Sequence, residues 1–163
     1  MNPEVRLGGP GDIDGAALVW ARATAKRDGK AEIPPLTAAK DVMLDSLRHE
    51  RSTLVVASNE GVVIGFATAE PTTSSLVAEV RFVGVDPHYW GYGVGRMVIA
   101  RMADELASAG FRSAQLLVYA DNDAARRLYE RTGWSRDEQE PSIHPRTRKP
   151  EVRYRLSLGD IPT

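Results

Sequence analysis

Val83-Gly84-Val85-Asp86-Pro87-His88-Tyr89-Trp90-Gly91-Tyr92-Gly93-Val94-Gly95 is the stretch whose reading decides the fold. Upstream of it, Leu76 to Val85 is apolar and β-branched, a predicted strand that Asp86-Pro87 stops. Downstream, a helix is predicted from about Gly93 to Ala109, with Val94, Val98, Met102 and Leu106 on one face and Gly110 at its end. A turn that leaves a strand and enters a helix gathers free N–H groups where the helix dipole is positive. Gly91, Gly93 and Gly95 let that backbone approach an oxyanion with no Cβ between. A pyrophosphate suits such a turn. So does a plain strand–helix connection that needs glycine only for its shape.

Working outward, the elements on either side fall into a regular order. Val5 to Leu7 is a short run ended by Gly8-Gly9-Pro10-Gly11. A helix follows from about Asp14 to Arg27, capped by Asp12 or Asp14, with Ala17, Leu18, Ala21 and Ala25 on one face. Thr37 is the expected cap of a second helix reaching about Glu50, with Val42, Met43 and Leu47 as its apolar stripe. Thr53 to Ala57 and Val62 to Ala69 are strands joined by the hairpin signature Asn59-Glu60-Gly61. Beyond the glycine turn come a strand over Ser113 to Tyr119, a helix over Asn122 to Thr132 with Gly133 past its end, and a polar loop from Glu138 to Pro150. Val152 to Leu158 alternates as a last strand. A meander that runs into a strand–helix–strand unit makes a mixed sheet with helices on both faces, and residues 1–163 are expected to form one domain.

Composition narrows the function classes. Apolar residues make up 42% of the 163 and charged residues 26%, the mix of a globular protein with a real core. A formal net charge of −1 gives no overall attraction to nucleic acid or an anionic membrane. Met1 to Pro10 lacks the apolar core of a signal peptide, so a cytoplasmic protein is expected. With no cysteine, disulfides, thiolate metal sites and acyl-cysteine intermediates are excluded. His49, His88 and His144 show no helical ligand spacing, so no metal site is expected.

The dinucleotide fingerprint G-x-G-x-x-G fails here. After Gly91 and Gly93 its third position is Arg96, and the acid that would bind ribose, Asp121, lies 26 residues past Gly95 instead of about 20. Trp90-Gly91-Tyr92-Gly93-Val94-Gly95 instead resembles motif A, R/Q-x-x-G-x-G/A, of the GNAT superfamily of acetyl-CoA-dependent N-acyltransferases. Asn122-Asp123-Ala124-Ala125-Arg126-Arg127-Leu128-Tyr129-Glu130-Arg131-Thr132-Gly133-Trp134 resembles that superfamily's N-x-x-A-x-x-x-Y-x-x-x-G-F segment. The two motifs stand in the right order and at the right separation, from about Glu79 to Trp134.

The resemblance implies an α/β (α+β) fold: a mixed, mostly antiparallel central sheet of about six or seven strands with helices on both faces. It implies an N-acetyltransferase that moves acetyl from acetyl-CoA to a primary amine by direct transfer in a ternary complex. Backbone N–H groups around Tyr92, Gly93, Val94, Gly95 and Arg96 would hold the CoA pyrophosphate. The pantetheine arm would run along the strand at Val83 and Val85, and the Val85 N–H would polarise the thioester carbonyl. Asn122 would cap the last helix and contact the pantetheine. Trp90 stands where Arg or Gln is usual and is not expected to make the usual polar contact, for which Arg96 or Arg126 would compensate.

Two residues are candidates for chemistry. Freeing a lysine-like amine (pKa ~10.4) at pH 7 costs roughly 4–5 kcal/mol, and freeing an α-amine about 1 kcal/mol. Glu79 in Ala78-Glu79-Val80-Arg81-Phe82-Val83-Gly84-Val85 falls where histone-type members of the superfamily carry a catalytic glutamate, and it is the candidate base. Its plain alternative is a solvated glutamate paired with Arg81, and alternation puts Glu79, Arg81, Val83 and Val85 on one face unless the strand bulges. His88 and His144 are rival bases. Tyr129, one turn after Ala125, is the candidate acid or hydrogen-bond donor to the departing thiolate, or else a core aromatic.

The acceptor pocket implied by the resemblance would be walled by Trp20, the Ile33-Pro34-Pro35 region and the segment His144 to Pro150. Arg146, Arg148 and Lys149 in that segment are either a solvated run or cations for a carboxylate or phosphate on the acceptor. The expected partner is a small-molecule or peptide amine, with a homodimer left open. A longer acyl-CoA as donor, or a non-catalytic acyl-CoA sensor, are the alternative functions.

Overall fold

A computed structural model describes residues 1–139 and 141–159. Glu140, in the loop expected over 138–150, and residues 160–163 of the expected domain lie outside the described residues. Strands β1 (Glu4–Leu7), β2 (Thr53–Asn59), β3 (Val62–Pro71) and β4 (Val77–Val85) pair in turn, all antiparallel. The β2–β3 hairpin closes through Glu60 at φ 51° and Gly61 at φ 80°. Two successive left-handed residues match the right-handed twist of the strands they join. Between β1 and β2 lie α1 (Ile13–Arg27) and α2 (Leu36–Ser46).

Helix α3 (Val94–Ser108) then carries the chain to β5 (Ser113–Tyr119), which runs parallel to β4. Helix α4 (Asp123–Arg131) follows, then the two-residue strands β6 (Ser135–Arg136) and β7 (Ser142–Ile143), and β8 (Pro150–Ser157). The order across the sheet is β1-β2-β3-β4-β5-β8-β6, with β7 also on β8. The architecture is the expected mixed, mostly antiparallel sheet, with eight strands because β6 and β7 hang on the polar end of the chain, where no alternation marked them.

Each face has its own core. On one side Val94, Val98, Ile99, Met102 and Leu106 of α3 are buried against Val55, Ala57, Ala67 and Ala69. On the other, Ala16, Ala17, Val19 and Ala21 of α1 and Met43 of α2 cover Leu54, Val56 and Phe66. Fully burying one such Leu, Ile, Val or Met side chain contributes about 1.5–3 kcal/mol. Helix α2 stops at Ser46, short of Glu50; there Ser46 Oγ donates to the Met43 carbonyl (2.8 Å), and just beyond it the His49 ring accepts the Arg51 N–H (2.9 Å). Side chains that bond to nearby main-chain groups in this way compete with the helical ladder. Asp12 caps α1 with no side-chain bond; its carboxylate serves Arg6 and the Gly9 N–H instead.

Two departures from regularity shape the middle of the sheet. Strands β4 and β5 pair only at Val77–Ser113, Ala78–Ala114 and Glu79–Gln115, after which each runs on without the other. The β3–β4 register also slips: Thr68 faces Phe82 and Ala69 faces Val80, so Arg81 is an extra residue with no partner. The expectation that Glu79 shares a face with Val83 and Val85 is therefore corrected, because one inserted residue inverts the alternation. Val80, Val83 and Val85 belong to the α3 side, whereas Phe82 packs with the α1 core. Glu79 lies on the Phe82 side.

The end of β4 is tied down by Asp86. Its N–H continues the ladder to the Ile64 carbonyl (2.8 Å). Its buried carboxylate accepts from the His88 N–H (3.0 Å) and from Arg22 of α1 (3.0 Å), and meets His88 Nδ1 at 3.1 Å. Burial alone would raise the Asp86 pKa, but the His88 N–H, Arg22 and the His88 ring together hold it below the ordinary carboxylate value. A depressed folded-state pKa stabilises the fold fully above the unfolded value of about 3.9 and loses that stabilisation as pH falls through the folded value. Asp86→Asn should accordingly be less stable than wild type at pH 7, with the gap narrowing below about pH 4 in denaturant titrations. A gap of constant size across pH would show that the charge of Asp86 has no part in it.

A second test concerns the seat of α3. A Cβ on Gly65 would stand 2.9 Å from Val94 Cγ1 and 3.4 Å from the Gly84 carbonyl, so β3 accepts the first turn of α3 only through a bare Cα. Gly65→Ala is expected to lose about 1–3 kcal/mol in urea unfolding, the usual cost of overpacking. An unchanged midpoint would mean that α3 shifts freely.

Candidate functional site

The divergence of β4 and β5 opens a cleft of about 660 Å³. Its walls are Val83 to Val85 of β4, the turn from Tyr89 to Arg96, the cleft face of α4 and the last two turns of α1. Antiparallel strands alternate between residues that bond across the ladder and residues that do not. Because Asp86 bonds to Ile64, Gly84 and Phe82 also face β3, while Val83 and Val85 turn their N–H and C=O groups away from it. With no β5 partner at this level, those groups point into the cleft. Both residues that sequence reasoning placed along a pantetheine arm thus offer free main-chain groups there.

The glycine turn forms the adjacent wall. Gly91 (φ 86°) and Gly93 (φ 79°) both take the left-handed conformation that side chains resist, and Gly93 is the N-cap of α3. The first bond of the helix runs from the Met97 N–H to the Gly93 carbonyl (3.1 Å). The N–H groups of Val94, Gly95 and Arg96 therefore precede the ladder, at the positive end of a fifteen-residue helix. Gly95 is constrained differently: a Cβ there would lie 3.3 Å from Leu128 and 3.5 Å from Val85, so α3, α4 and β4 meet at that point. Gly93, Val94, Gly95 and Arg96 all line the cleft, with Tyr92 two-thirds exposed beside it.

Trp90 is tied to β4. Its indole Nε1–H donates to the Val85 carbonyl at 2.8 Å, so the residue at the usual Arg or Gln position does make a polar contact, with the strand itself. An indole carries a single N–H donor, which is enough for this. Its ring remains 45% exposed at the cleft mouth.

On α4, Asn122 caps the helix, its Oδ1 accepting the Ala125 N–H (3.2 Å), and it borders the cleft. The structure does not bring Arg126 there. Its guanidinium bonds to the Tyr154 hydroxyl (3.2 Å) and the Ala120 carbonyl (2.9 Å), behind the helix. Arg127 and Arg131 line the cleft instead, joined by Arg96 and by Arg27 of α1. Helical phase could have found them: Ala124, Arg127, Leu128 and Arg131 are spaced i, i+3, i+4, i+7, a stripe that omits Arg126.

Tyr129 is 7% exposed and sits in the inner wall of the cleft, where burial pushes its phenol pKa well up. It is a hydroxyl at any working pH, and no described residue takes its hydrogen bond. Glu79 occupies the last rung that β4 shares with β5, on the other side of the sheet. Its carboxylate meets Arg153 (3.3 Å) and Gln115 (3.4 Å), while Arg81, its expected partner in the plain reading, pairs with Glu70. Neither rival histidine lines the cleft: His88 leans on Asp86, and His144 Nδ1 accepts the N–H groups of Arg146 and Thr147.

A second, smaller pocket of about 360 Å³ lies between α1, α2, β4 and the loop before β8. Trp20 lines both cavities and stands edge-on to Phe82, ring centroids 4.9 Å apart. Of the acceptor walls expected from sequence, Trp20 and Arg146 are present, the Ile33-Pro34-Pro35 region is not, and Asp41 and Asp45 of α2 take its place.

Among the described residues, no helix is long and apolar enough to cross a membrane. Over the whole chain, the fold matches the ribosomal-protein-S18-alanine N-acetyltransferase from Escherichia coli, with a TM-score of 0.78, 21% identity, and 99% of this chain and 97% of that one covered. It also matches yncA from Salmonella typhimurium, solved with its cofactor acetyl-CoA, at a TM-score of 0.77, 18% identity, and coverage of 100% and 98%. In sequence, it is 37% identical over 136 residues to a mycothiol acetyltransferase of Amycolatopsis mediterranei, which covers 78% of this chain and 44% of that protein. The chain spans less than half the length of the mycothiol acetyltransferases it matches. Residues 19–134, which hold the divergent strands, the glycine turn and α4, match the profile of the Acetyltransferase (GNAT) family, and the chain belongs to that family.

Proposed function

We propose that the chain moves acetyl from acetyl-CoA to a primary amine of its acceptor by direct transfer in a ternary complex. The observation that carries this reading is the convergence, on one cleft, of two sets of free main-chain groups. The Val83 and Val85 edge supplies one set and the N-terminal amides of α3 supply the other. The donor set suits a diphosphate: three N–H groups at a helix N-terminus, with left-handed glycines and four arginines around them. Tyr92 to Arg96 would hold the diphosphate, and Arg127 and Arg131 take the part that sequence reasoning gave to Arg126. Asn122, fixed as a helix cap, would keep its amide for the pantetheine.

Acetyl-CoA supplies the activated acyl group, and the chain's residues do the rest. The Val85 N–H donates to the carbonyl oxygen as charge builds there. Trp90, by holding the Val85 carbonyl, anchors the peptide that follows Val85, whose Asp86 N–H is bonded to Ile64 on the other side. The Tyr129 hydroxyl donates a hydrogen bond to the departing sulfur; burial keeps it a donor throughout. Glu79 serves as the base. In support, the slip at Arg81 turns it to the same face of the sheet as Phe82, although its carboxylate rests on Arg153 and Gln115 and lines neither cavity. The mycothiol acetyltransferase relatives favour a small-molecule amine over a peptide as the acceptor.

Calorimetry should detect coenzyme A binding, and release of CoA thiol from acetyl-CoA should depend on an added amine. Binding without turnover on any amine would favour a sensor, and turnover only with longer acyl-CoAs would change the donor. Tyr129→Phe is expected to lower kcat roughly 10- to 100-fold with little change in acetyl-CoA KM. A wild-type kcat in that variant removes Tyr129 from the mechanism.

A further inference from the structure

Resting on the reading just given, we propose that the acceptor amine also carries an anionic group, a carboxylate or a phosphate, and that Arg146 recognises it. The second pocket has an aromatic floor, Trp20 edge-on to Phe82, and four charged residues in its walls. Arg81 is neutralised by Glu70 on the neighbouring strand, and Asp45 is paired with Arg48 (3.2 Å). Asp41 of α2 and Arg146 of the loop before β8 are left, with no ion pair to any described residue. A molecule bearing an ammonium and an anion answers both. A plain amine answers one and leaves a guanidinium unmatched. The planar fork of arginine suits carboxylate and phosphate alike, because two parallel N–H donors meet two oxygens.

The main chain at Arg146 is held in place while the side chains of its neighbours are drawn off. Of the three cations in the loop before β8, only Arg146 lines the pocket. Lys149 reaches Asp121 (3.4 Å) and lies over the Tyr119 ring, and Arg148 sits at φ 61° where the loop reverses. The His144 imidazole organises this loop: Nδ1 accepts from the Arg146 N–H (3.2 Å) and the Thr147 N–H (3.1 Å), and the His144 N–H donates to the Lys149 carbonyl (2.8 Å). His144 is thus a positioning residue for Arg146.

The test uses matched amines with acetyl-CoA as donor, after calorimetry has established that acetyl-CoA binds. Phenylalanine is compared with phenethylamine, and phosphoethanolamine with ethanolamine; the arm that responds tells carboxylate from phosphate. In one arm kcat/KM should favour the anionic member about tenfold or more, the value of a charge-assisted contact. Arg146→Ala should abolish that preference by raising KM for the anionic amine alone. His144→Ala should act in the same direction, and His144→Asn, whose amide oxygen can accept the same N–H groups, should restore it. Equal use of the neutral amines, a preference that survives Arg146→Ala, or bound acetyl-CoA with no turnover of either anionic amine would overturn the proposal. Failure of acetyl-CoA to bind would instead bring down the reading of the cleft.

Discussion

Beyond Glu79, the inner edge of β4 has no strand beside it, and the peptide groups of Val83 and Val85 must be accommodated without a ladder. An unpaired main-chain group shut away from water costs about 1–3 kcal/mol, so a sheet does not part in its middle without some arrangement for that edge. Here the edge borders a cleft broad enough for solvent or a ligand, and one of its carbonyls is taken by the Trp90 indole. Asp86 secures the strand's end to α1 and to the ladder of β3, which keeps the edge straight where pairing has stopped.

The single extra residue at Arg81 divides labour between the two faces of the same strand. Upstream of it, Glu79 looks toward the side covered by α1 and α2; downstream, Val83 and Val85 look toward α3 and α4. A regular strand would have put the carboxylate and the valines together. The smaller pocket borders Arg81 and Phe82 and the cleft borders Val83 to Val85, with Trp20 as their common wall.

Much of this was legible in the sequence because the signals were local. Glycines at 91 and 93 mark a turn whose left-handed backbone favours glycine, and the apolar spacing of Val94, Val98, Met102 and Leu106 fixes the helix that follows. What was not legible depended on register or on competition between partners. The face of Glu79 follows from a slip that no residue type announces. Arg126 and Arg127 are chemically identical, and only the phase of α4 on the sheet sends one to Tyr154 and the other to the cleft. The contact of Trp90 was missed because the residue was judged against the usual Arg or Gln; its own N–H donor was the overlooked signal. The strands β6 and β7 are too short for alternation to show at all.

An interrupted strand in the heart of a sheet resembles the bare edges through which β proteins aggregate, since it offers donors and acceptors at the spacing of another strand. In this fold the vulnerable edge is recessed between two helices and roofed at one end by an indole. The slot beside it is bounded by the first turn of α3 and by one face of α4, so whatever lies against the edge must fit between two helices. The spacing of donors and acceptors that makes a bare edge sticky is thereby kept inside a cleft instead of on the perimeter of the sheet.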